Sequence, residues 1–152
     1  MKKNNIFSDV VLITPDTFED ARGFFSETYN RSAIKKLGID IDFIQDNQSF
    51  SQNANTLRGI HFQSPPFAQS KLIRVLSGSI FDIFIDLRKD SETYERYGSF
   101  NLNPEDGWLF IPKGFAHGFV TLEDQTNILY KVDAYYNSDY EYGIKWDDDF
   151  FS

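Results

Sequence analysis

Apolar and polar positions alternate over short stretches along most of the chain, which is the pattern of half-buried β-strands. Turn segments rich in Gly, Pro, Asn and Asp separate the stretches. The first stretch is stopped by Pro15 and is predicted at a sheet edge, and residues 18–20 are predicted to form a turn. Many short strands without alternating helices indicate an all-β sandwich or barrel. The predicted strands are residues 10–13, 22–29, 41–50, 55–63, 71–76, 79–87, 97–101, 108–111, 114–122 and 127–132.

One segment predicts a helix. Residues 30–38 place Asn30 at the N-cap and Gly38 just beyond the last turn. A helix of this length is too short to organise a domain by itself. Because the sequence contains no repeat and no linker, residues 1–152 are predicted to form a single domain.

Composition narrows the class of protein. With 152 residues, of which 41% are hydrophobic and 17% aromatic, the chain is long and apolar enough to bury a core. The net charge of −8 argues against nucleic acid or an anionic membrane as the main partner, although a local cluster of basic residues can still hold a phosphate. The absence of cysteine excludes disulfides and a thiol nucleophile. Without a signal peptide or an apolar run of membrane-spanning length, the expected location is the cytoplasm.

The segment 56–63 combines strand composition with an Arg, a His and a Gln. Its His61 is one of only two histidines in the chain, and histidine is the side chain that best exchanges protons near neutral pH. A regular pleat would place Arg58 and His61 on opposite faces. We therefore predict a bulge at Gly59 if both residues serve one site.

A second strand carries carboxylates among apolar residues. The pleat places Asp82 and Asp86 on one face of strand 79–87. A solvated face is the simpler interpretation, and the alternative is that Asp82 orients a histidine. Considered without the rest of the sequence, His117 is predicted to be a structural, hydrogen-bonded histidine and Tyr130 a packed aromatic residue of the core.

Taken in order, the motifs of this chain resemble those of the dTDP-4-dehydrorhamnose 3,5-epimerases. The motifs are Arg22-Gly23-Phe24-Phe25, Gln45-Asp46-Asn47, Arg58-Gly59-Ile60-His61-Phe62-Gln63, Lys71-Leu72-Ile73-Arg74-Val75, Ile111-Pro112-Lys113-Gly114-Phe115-Ala116-His117-Gly118-Phe119, Tyr130-Lys131 and Ile144-Lys145-Trp146-Asp147-Asp148. The resemblance implies a cupin-type jelly roll (a double-stranded β-helix) with one or two short helices. It also implies epimerisation of a nucleotide-linked 4-keto-6-deoxy sugar at C3 and C5, without a cofactor or a metal.

The resemblance further implies roles for individual residues. His61 matches the base, Tyr130 the general acid, and Lys71 the residue beside the developing O4 oxyanion. The implied substrate contacts are Arg22, Glu27, Gln45, Asn47, Arg58, His117, Tyr136 and Glu141. A homodimer is implied as well, in which the neighbouring subunit completes each site.

The chain departs from the family pattern at its end. Family members continue into a tail with a Ser-x-Lys-Asp motif, whose Asp pairs with the base histidine. The sequence ends at Ser152, and that Asp has no counterpart in it. Its loss could lower the activity, shift the pH dependence of the activity, or leave the pairing with His61 to another carboxylate. The loop 63–70 between base strand and Lys71 is stiffened by two prolines, and we expect its Phe67 to close over the sugar.

Three alternatives remain open. The enzyme could act at C3 or C5 alone, or on another nucleotide sugar such as a GDP-linked one. A metal-binding cupin would have to use His61, His117 and a carboxylate such as Asp82. A non-catalytic module that only binds sugar nucleotides is the third.

Overall fold

The computed structural model describes residues 1–149, and its regular structure is almost entirely β. The elements in chain order are β1 (Lys2–Phe7), β2 (Val10–Thr14), β3 (Thr17–Asp20), β4 (Gly23–Ser26), α1 (Arg31–Lys36), β5 (Gln45–Ser51), β6 (Leu57–Gln63), β7 (Lys71–Ser77), β8 (Ile80–Asp86), β9 (Tyr97–Leu102), β10 (Trp108–Ile111), β11 (Phe115–Thr121), β12 (Thr126–Val132), a 3₁₀ turn (Ser138–Tyr140) and β13 (Glu141–Gly143). Residues 150–152 lie outside the described residues.

The strands form two large antiparallel sheets and one small one. The six-stranded sheet has the order β1-β2-β10-β7-β12-β5, and the five-stranded sheet has the order β13-β6-β11-β8-β9. β3 and β4 pair only with each other, as a separate hairpin. The predicted all-β jelly roll is therefore confirmed.

The main core lies between the two large sheets. Buried Ile73 and Leu109 from the six-stranded sheet belong to the same apolar cluster as Phe84 and Phe119 from the five-stranded sheet. A second cluster covers the outer face of the six-stranded sheet, where Trp108 packs with the helix. The six-stranded sheet therefore carries an apolar layer on each of its two faces.

The helix follows its sequence signals. The Asn30 side chain accepts a hydrogen bond from the Ala33 amide at 3.0 Å, as expected of an N-cap. Gly38, with φ +93°, follows the last turn and donates its amide hydrogen to Lys35 O. Ile34 is the helix residue that is buried against Trp108. The predicted helix and both of its caps are confirmed.

Three strands of the structure were not predicted from the pattern of apolar and polar positions. The N-terminal strand β1 is mostly polar and exposed, so it shows no alternation, yet it pairs with β2 along its length. β2 is consequently not an edge strand, and that prediction was wrong. β3 was predicted as a turn and is an exposed strand, and β13 is too short to carry a pattern.

The carboxylates of β8 do not form a solvated face, because Asp82 and Asp86 are both 0% exposed. Asp86 accepts hydrogen bonds from the Arg88 guanidinium at 2.8 and 2.9 Å and from the hydroxyls of Ser91 and Thr93. Burial alone would raise the pKa of Asp86, but these hydrogen bonds hold it well below its ordinary value. The solvated-face interpretation was therefore wrong, since each carboxylate has buried partners.

Within residues 1–149, no helix is both long and apolar enough to cross a membrane.

Candidate active site

A cleft of about 660 Å³ is lined by residues of both large sheets. Five residues singled out from the sequence line it: Arg58, His61, Lys71, His117 and Tyr130. A smaller cleft of about 310 Å³ adjoins it and shares His61, Lys71 and Tyr130. These three side chains therefore stand where the two clefts meet.

A bulge in β6 brings Arg58 and His61 to the same cleft. In the pairing of β6 with β11, His61 lies opposite His117 and Arg58 lies opposite Phe119. Between these two pairs β6 therefore contains one residue more than β11, which defines a β-bulge. Gly59 lies in this extra step with φ +101°. A Cβ on Gly59 would stand 2.7 Å from His117 O and from the Cα of Gly118, so no larger residue fits. The bulge predicted at Gly59 is confirmed.

His61 is half-exposed at the mouth of the cleft, next to β13. Its Nδ1 lies 3.7 Å from Oε1 of Glu141, which is longer than a hydrogen bond but close enough for electrostatic attraction to a protonated imidazole. The other oxygen of that carboxylate accepts a hydrogen bond from the Tyr136 hydroxyl at 2.8 Å. Glu141 therefore links the candidate base to a tyrosine of the smaller cleft, and Nε2 of His61 is left for a ligand.

His117 is paired with a buried carboxylate. Its Nε2 lies 2.8 Å from Oδ2 of Asp82, and both side chains are shielded from solvent. Burial raises the pKa of Asp82, and the nearby His117 and Lys71 oppose this rise. Asp82 therefore orients a histidine, as the alternative interpretation held, but that histidine is His117 and not His61.

Lys71 begins β7 inside the cleft. Removal of its ammonium group from water lowers the pKa of Lys71 to about 8, although the negative charges of Asp82 and Glu141 oppose this effect. A lysine with a pKa this low still carries its charge at neutral pH, where it can stabilise an anion.

Tyr130 projects from β12 of the facing sheet, with Asn47 as its neighbour across the strand pair. Burial raises the pKa of Tyr130, while the charge of Arg58 and a hydrogen bond with Asn47 act in the opposite direction. Its phenol therefore stays protonated near neutral pH and is able to donate a proton.

Arg58 is anchored to the edge strand β5. Its Nε donates to Ser51 Oγ at 3.0 Å, and its Nη2 donates to Phe50 O at 2.9 Å. A guanidinium held in this way is suited to binding phosphate oxygens, since its planar fork is already oriented.

Comparisons with known proteins agree with this geometry. A sequence profile of the dTDP-4-dehydrorhamnose 3,5-epimerases matches residues 4–152. The chain belongs to this family. It is 46% identical to the dTDP-4-dehydrorhamnose 3,5-epimerase of Sinorhizobium fredii over 93% of this chain and 73% of that protein. It is 43% identical to the enzyme of Methanothermobacter thermautotrophicus over 91% of this chain and 74% of that protein.

Solved structures of the same family superpose closely. The Bacillus anthracis epimerase with TDP and PPi bound is 47% identical, with a TM-score of 0.90 over 93% of this chain and 81% of that one. The Legionella pneumophila epimerase in complex with dTDP-4-keto-L-rhamnose is 37% identical, with a TM-score of 0.88 over 98% of this chain and 81% of that one. The predicted family and the predicted enzyme class, an isomerase, are confirmed.

The remaining residues implied by the epimerase resemblance divide into two groups. Gln45, Asn47, Tyr136 and Glu141 line the smaller cleft. Arg22 and Glu27 line neither cleft: Arg22 sits at the turn of the β3–β4 hairpin and bonds to Asp20, and Glu27 accepts a hydrogen bond from Asn30.

The loop before Lys71 packs on the segment that follows β12. The ring of Phe67 packs on Tyr140 at 4.8 Å between centroids and lines neither of the two clefts. Phe67 is therefore packed against the 3₁₀ turn that follows β12, and its closure over a bound sugar stays a prediction.

One organising residue of this epimerase site, Gln63, was noted in the sequence but was not assigned a role. Buried Gln63 donates to Phe67 O at 2.7 Å and to Tyr135 O at 3.2 Å, and it accepts from the Asn137 amide at 2.9 Å. It thereby ties the base strand to the segment that carries Tyr136. An inward-facing amide at the end of an apolar strand was the available signal, because a buried glutamine needs several partners.

The metal-binding alternative finds no support in the arrangement of side chains. Over residues 1–149, no group of three or more histidines and carboxylates is placed to hold a metal ion. Two of the three ligands it would need, His117 and Asp82, are already bonded to each other.

Proposed function

We propose that this chain converts dTDP-4-dehydro-6-deoxyglucose into dTDP-4-dehydrorhamnose by inverting C3 and C5. The observation that carries the proposal is the meeting of His61, Lys71 and Tyr130 at the junction of the two clefts. His61 comes from the five-stranded sheet and Tyr130 from the facing six-stranded sheet. A sugar ring bound between them presents one face to a base and the other to an acid.

The chemistry follows from the C4 ketone of the substrate, which acidifies the hydrogens on C3 and C5. Nε2 of His61 removes one of these protons, and the electrons of the broken C–H bond move into an enolate whose negative charge rests on O4. The ammonium group of Lys71 stabilises that oxyanion. The Tyr130 hydroxyl then delivers a proton to the opposite face of the same carbon, which inverts it, and both side chains re-equilibrate with solvent.

The other residues bind and orient. Arg58 is proposed to hold the diphosphate, His117 with Asp82 behind it to contact the sugar, and Tyr136 to stack on the nucleobase. Gln45, Asn47 and Glu141 are proposed to complete the nucleotide contacts. Glu141 also faces Nδ1 of His61 and is the carboxylate we assign to orient the base.

The test of this function is solvent isotope incorporation. Incubation with dTDP-4-dehydro-6-deoxyglucose in deuterated water, followed by proton NMR, should show deuterium entering C3 and C5 together with inverted product. Incorporation at one carbon alone would limit the activity to that carbon, and turnover of only a GDP-linked sugar would change the nucleotide. Binding without any incorporation would indicate the non-catalytic module.

The lowered pKa of Lys71 leads to a prediction for how the rate of this reaction depends on pH. The ammonium is the useful form, so kcat/KM should fall as the pH rises through about 8, where Lys71 of the free enzyme loses its proton. Tyr130 cannot account for such a limb, since its pKa is raised above that of an ordinary phenol. Replacing Lys71 with Met should lower kcat by about two to three orders of magnitude.

Two variants serve as controls for this prediction. Lys71→Arg keeps its charge at high pH and should lose the alkaline limb even if its rate is lower. Lys89→Met removes an exposed lysine and should leave the pH profile unchanged. An alkaline limb that persists near pH 8 in Lys71→Arg would contradict the role assigned to Lys71.

We also propose a homodimer in which the β3–β4 hairpin reaches the cleft of the neighbouring subunit. Phe18, Phe24 and Phe25 of this hairpin are 64–71% exposed, and exposed aromatic clusters of this kind are typical of interfaces. The hairpin also carries Arg22, and Glu27 follows it. Both residues lie outside the cleft of their own chain, so a second copy is where they can meet the nucleotide.

Replacing Phe25 with Asp should therefore produce monomers and weaken dTDP binding at the same time. Association would have to remove the new carboxylate from water, and this desolvation makes the free energy of association less favourable. Sedimentation velocity reports the first effect and titration calorimetry with dTDP the second. Tyr94→Asp, which alters an exposed aromatic residue in the loop between β8 and β9, is the matched control. A Phe25→Asp variant that stays dimeric and binds dTDP normally would refute the arrangement.

A further inference from the structure

The inner face of β5 carries a row of four polar side chains at the wall of the cleft. They are Gln45, Asn47, Ser49 and Ser51, which alternate with exposed residues along the strand. Three of the four have partners. Gln45 donates to Asn47 at 2.9 Å, so both of these side chains have a partner, and Ser51 accepts from Arg58 at 3.0 Å.

Ser49 is the exception. Its hydroxyl is shielded from solvent and hydrogen bonds to no group within residues 1–149, although the residue itself lines the large cleft. A buried hydroxyl without a partner is costly in a folded protein, and such groups require an explanation. A serine changes the direction of its hydroxyl by rotation about one torsion, so this group is able to turn toward a ligand in the cleft.

The neighbours of Ser49 define which part of a ligand it would meet. Successive inward residues of a strand are about 6.8 Å apart. Asn47, on one side, lies opposite Tyr130 in the pairing of β5 with β12, and the proposed function places Tyr130 beside the reacting carbons. Ser51, on the other side, holds Arg58, which the proposed function assigns to the diphosphate. Ser49 thus faces the part of the substrate between these two points.

In the substrate, that part is short. The diphosphate is attached through oxygen to C1, and the reacting edge comprises C3, C4 and C5. Between them lie C2 with its hydroxyl on one side of the ring and the ring oxygen on the other. The C2 hydroxyl both donates and accepts hydrogen bonds, whereas the ring oxygen is only a weak acceptor.

We propose that Ser49 binds the C2 hydroxyl of the sugar and makes this enzyme selective against 2-deoxy sugars. The inference rests on the proposed function, because it uses the positions assigned to Tyr130 and Arg58. It assigns to Ser49 the recognition of the C2 hydroxyl, a group that takes no part in the reaction. A site built to bond a substrate hydroxyl disfavours the analogue that lacks it, since the protein group is then left unpaired.

The test compares two enzymes on two substrates. The wild type and Ser49→Ala are assayed with dTDP-4-dehydro-6-deoxyglucose and with its 2-deoxy analogue, by deuterium incorporation at C3 and C5. The wild type should prefer the 2-hydroxy sugar by roughly tenfold in kcat/KM, and Ser49→Ala should treat the two sugars nearly alike. The affinity for dTDP alone should stay unchanged in Ser49→Ala, because dTDP carries no sugar at that position.

Each outcome has one meaning. An unchanged sugar preference in Ser49→Ala overturns the inference and leaves the epimerase function standing. A weakened affinity for dTDP alone also overturns it, since the contact would then be to the diphosphate. If the wild type turns over neither sugar, the proposed function fails and the inference fails with it. Ser51→Ala is the matched serine variant, and it should weaken dTDP binding through Arg58 while keeping the sugar preference.

Discussion

Replacing His61 with Asn is expected to lower deuterium incorporation at both C3 and C5 by about two to four orders of magnitude. Asparagine preserves a polar side chain at the mouth of the cleft but cannot take up and release a proton near neutral pH. Both carbons should be affected, because each must lose its proton to the same base before it can invert. Proton NMR in deuterated water measures the two carbons separately in one sample.

The control must show that the His61 variant still binds its ligand. Titration with dTDP should give an affinity close to that of the wild type, because the nucleotide contacts proposed for Arg58 and Tyr136 remain. His117→Asn is the matched substitution at the only other histidine. It should weaken substrate binding yet keep measurable incorporation at saturating substrate. Incorporation at wild-type rate at either carbon in His61→Asn would remove His61 from the role of base.

Replacing Tyr130 with Phe is expected to separate proton exchange from inversion. If Tyr130 supplies the proton to the face opposite His61, the base can still form the enolate and return a proton to its original side. Deuterium should then continue to enter the sugar, whereas the yield of inverted product should fall by about two to four orders of magnitude. Parallel measurement of isotope content and product stereochemistry over time gives both quantities.

Tyr135→Phe provides the comparison for this variant. Tyr135 is exposed and lines neither of the two clefts, so removal of its hydroxyl should change neither quantity. Equal losses of exchange and inversion in Tyr130→Phe would mean that Tyr130 is needed for the site to form or that another group delivers the proton. Thermal unfolding tests the first explanation, because Tyr130 packs against the main core and a structural role would lower the melting temperature of Tyr130→Phe.

The sequence was sufficient where local chemistry decides structure. The caps at Asn30 and Gly38 act within one turn of the helix, so their residue types alone predicted both ends. The bulge in β6 was also predictable, because it depends on residue types within a few positions of one strand. A strand that must present Arg58 and His61 together needs an extra step, and Gly59 is the residue in it without a Cβ to clash with β11.

The order of motifs along the chain was also informative, because it carries the family resemblance and through it the jelly roll. That order assigned His61, Lys71 and Tyr130 to one site although they lie on three different strands. Taken alone, Lys71 is an ordinary strand lysine and Tyr130 a packed core aromatic residue. Agreement among several positions, and not any single one, is what made the prediction of a common cleft possible.

What the sequence by itself determined are most of the strands, the helix with its caps, the bulge at Gly59 and several of the polar residues that line the two clefts. Only the tertiary structure decided how those residues are paired: Asp82 with His117, Glu141 beside His61, and Gln63 with the segment that carries Tyr136. The physical reason is that alternation along a strand reports which face a side chain occupies. Which partner it meets depends on strand order and register, and these are set by contacts between residues far apart in the chain.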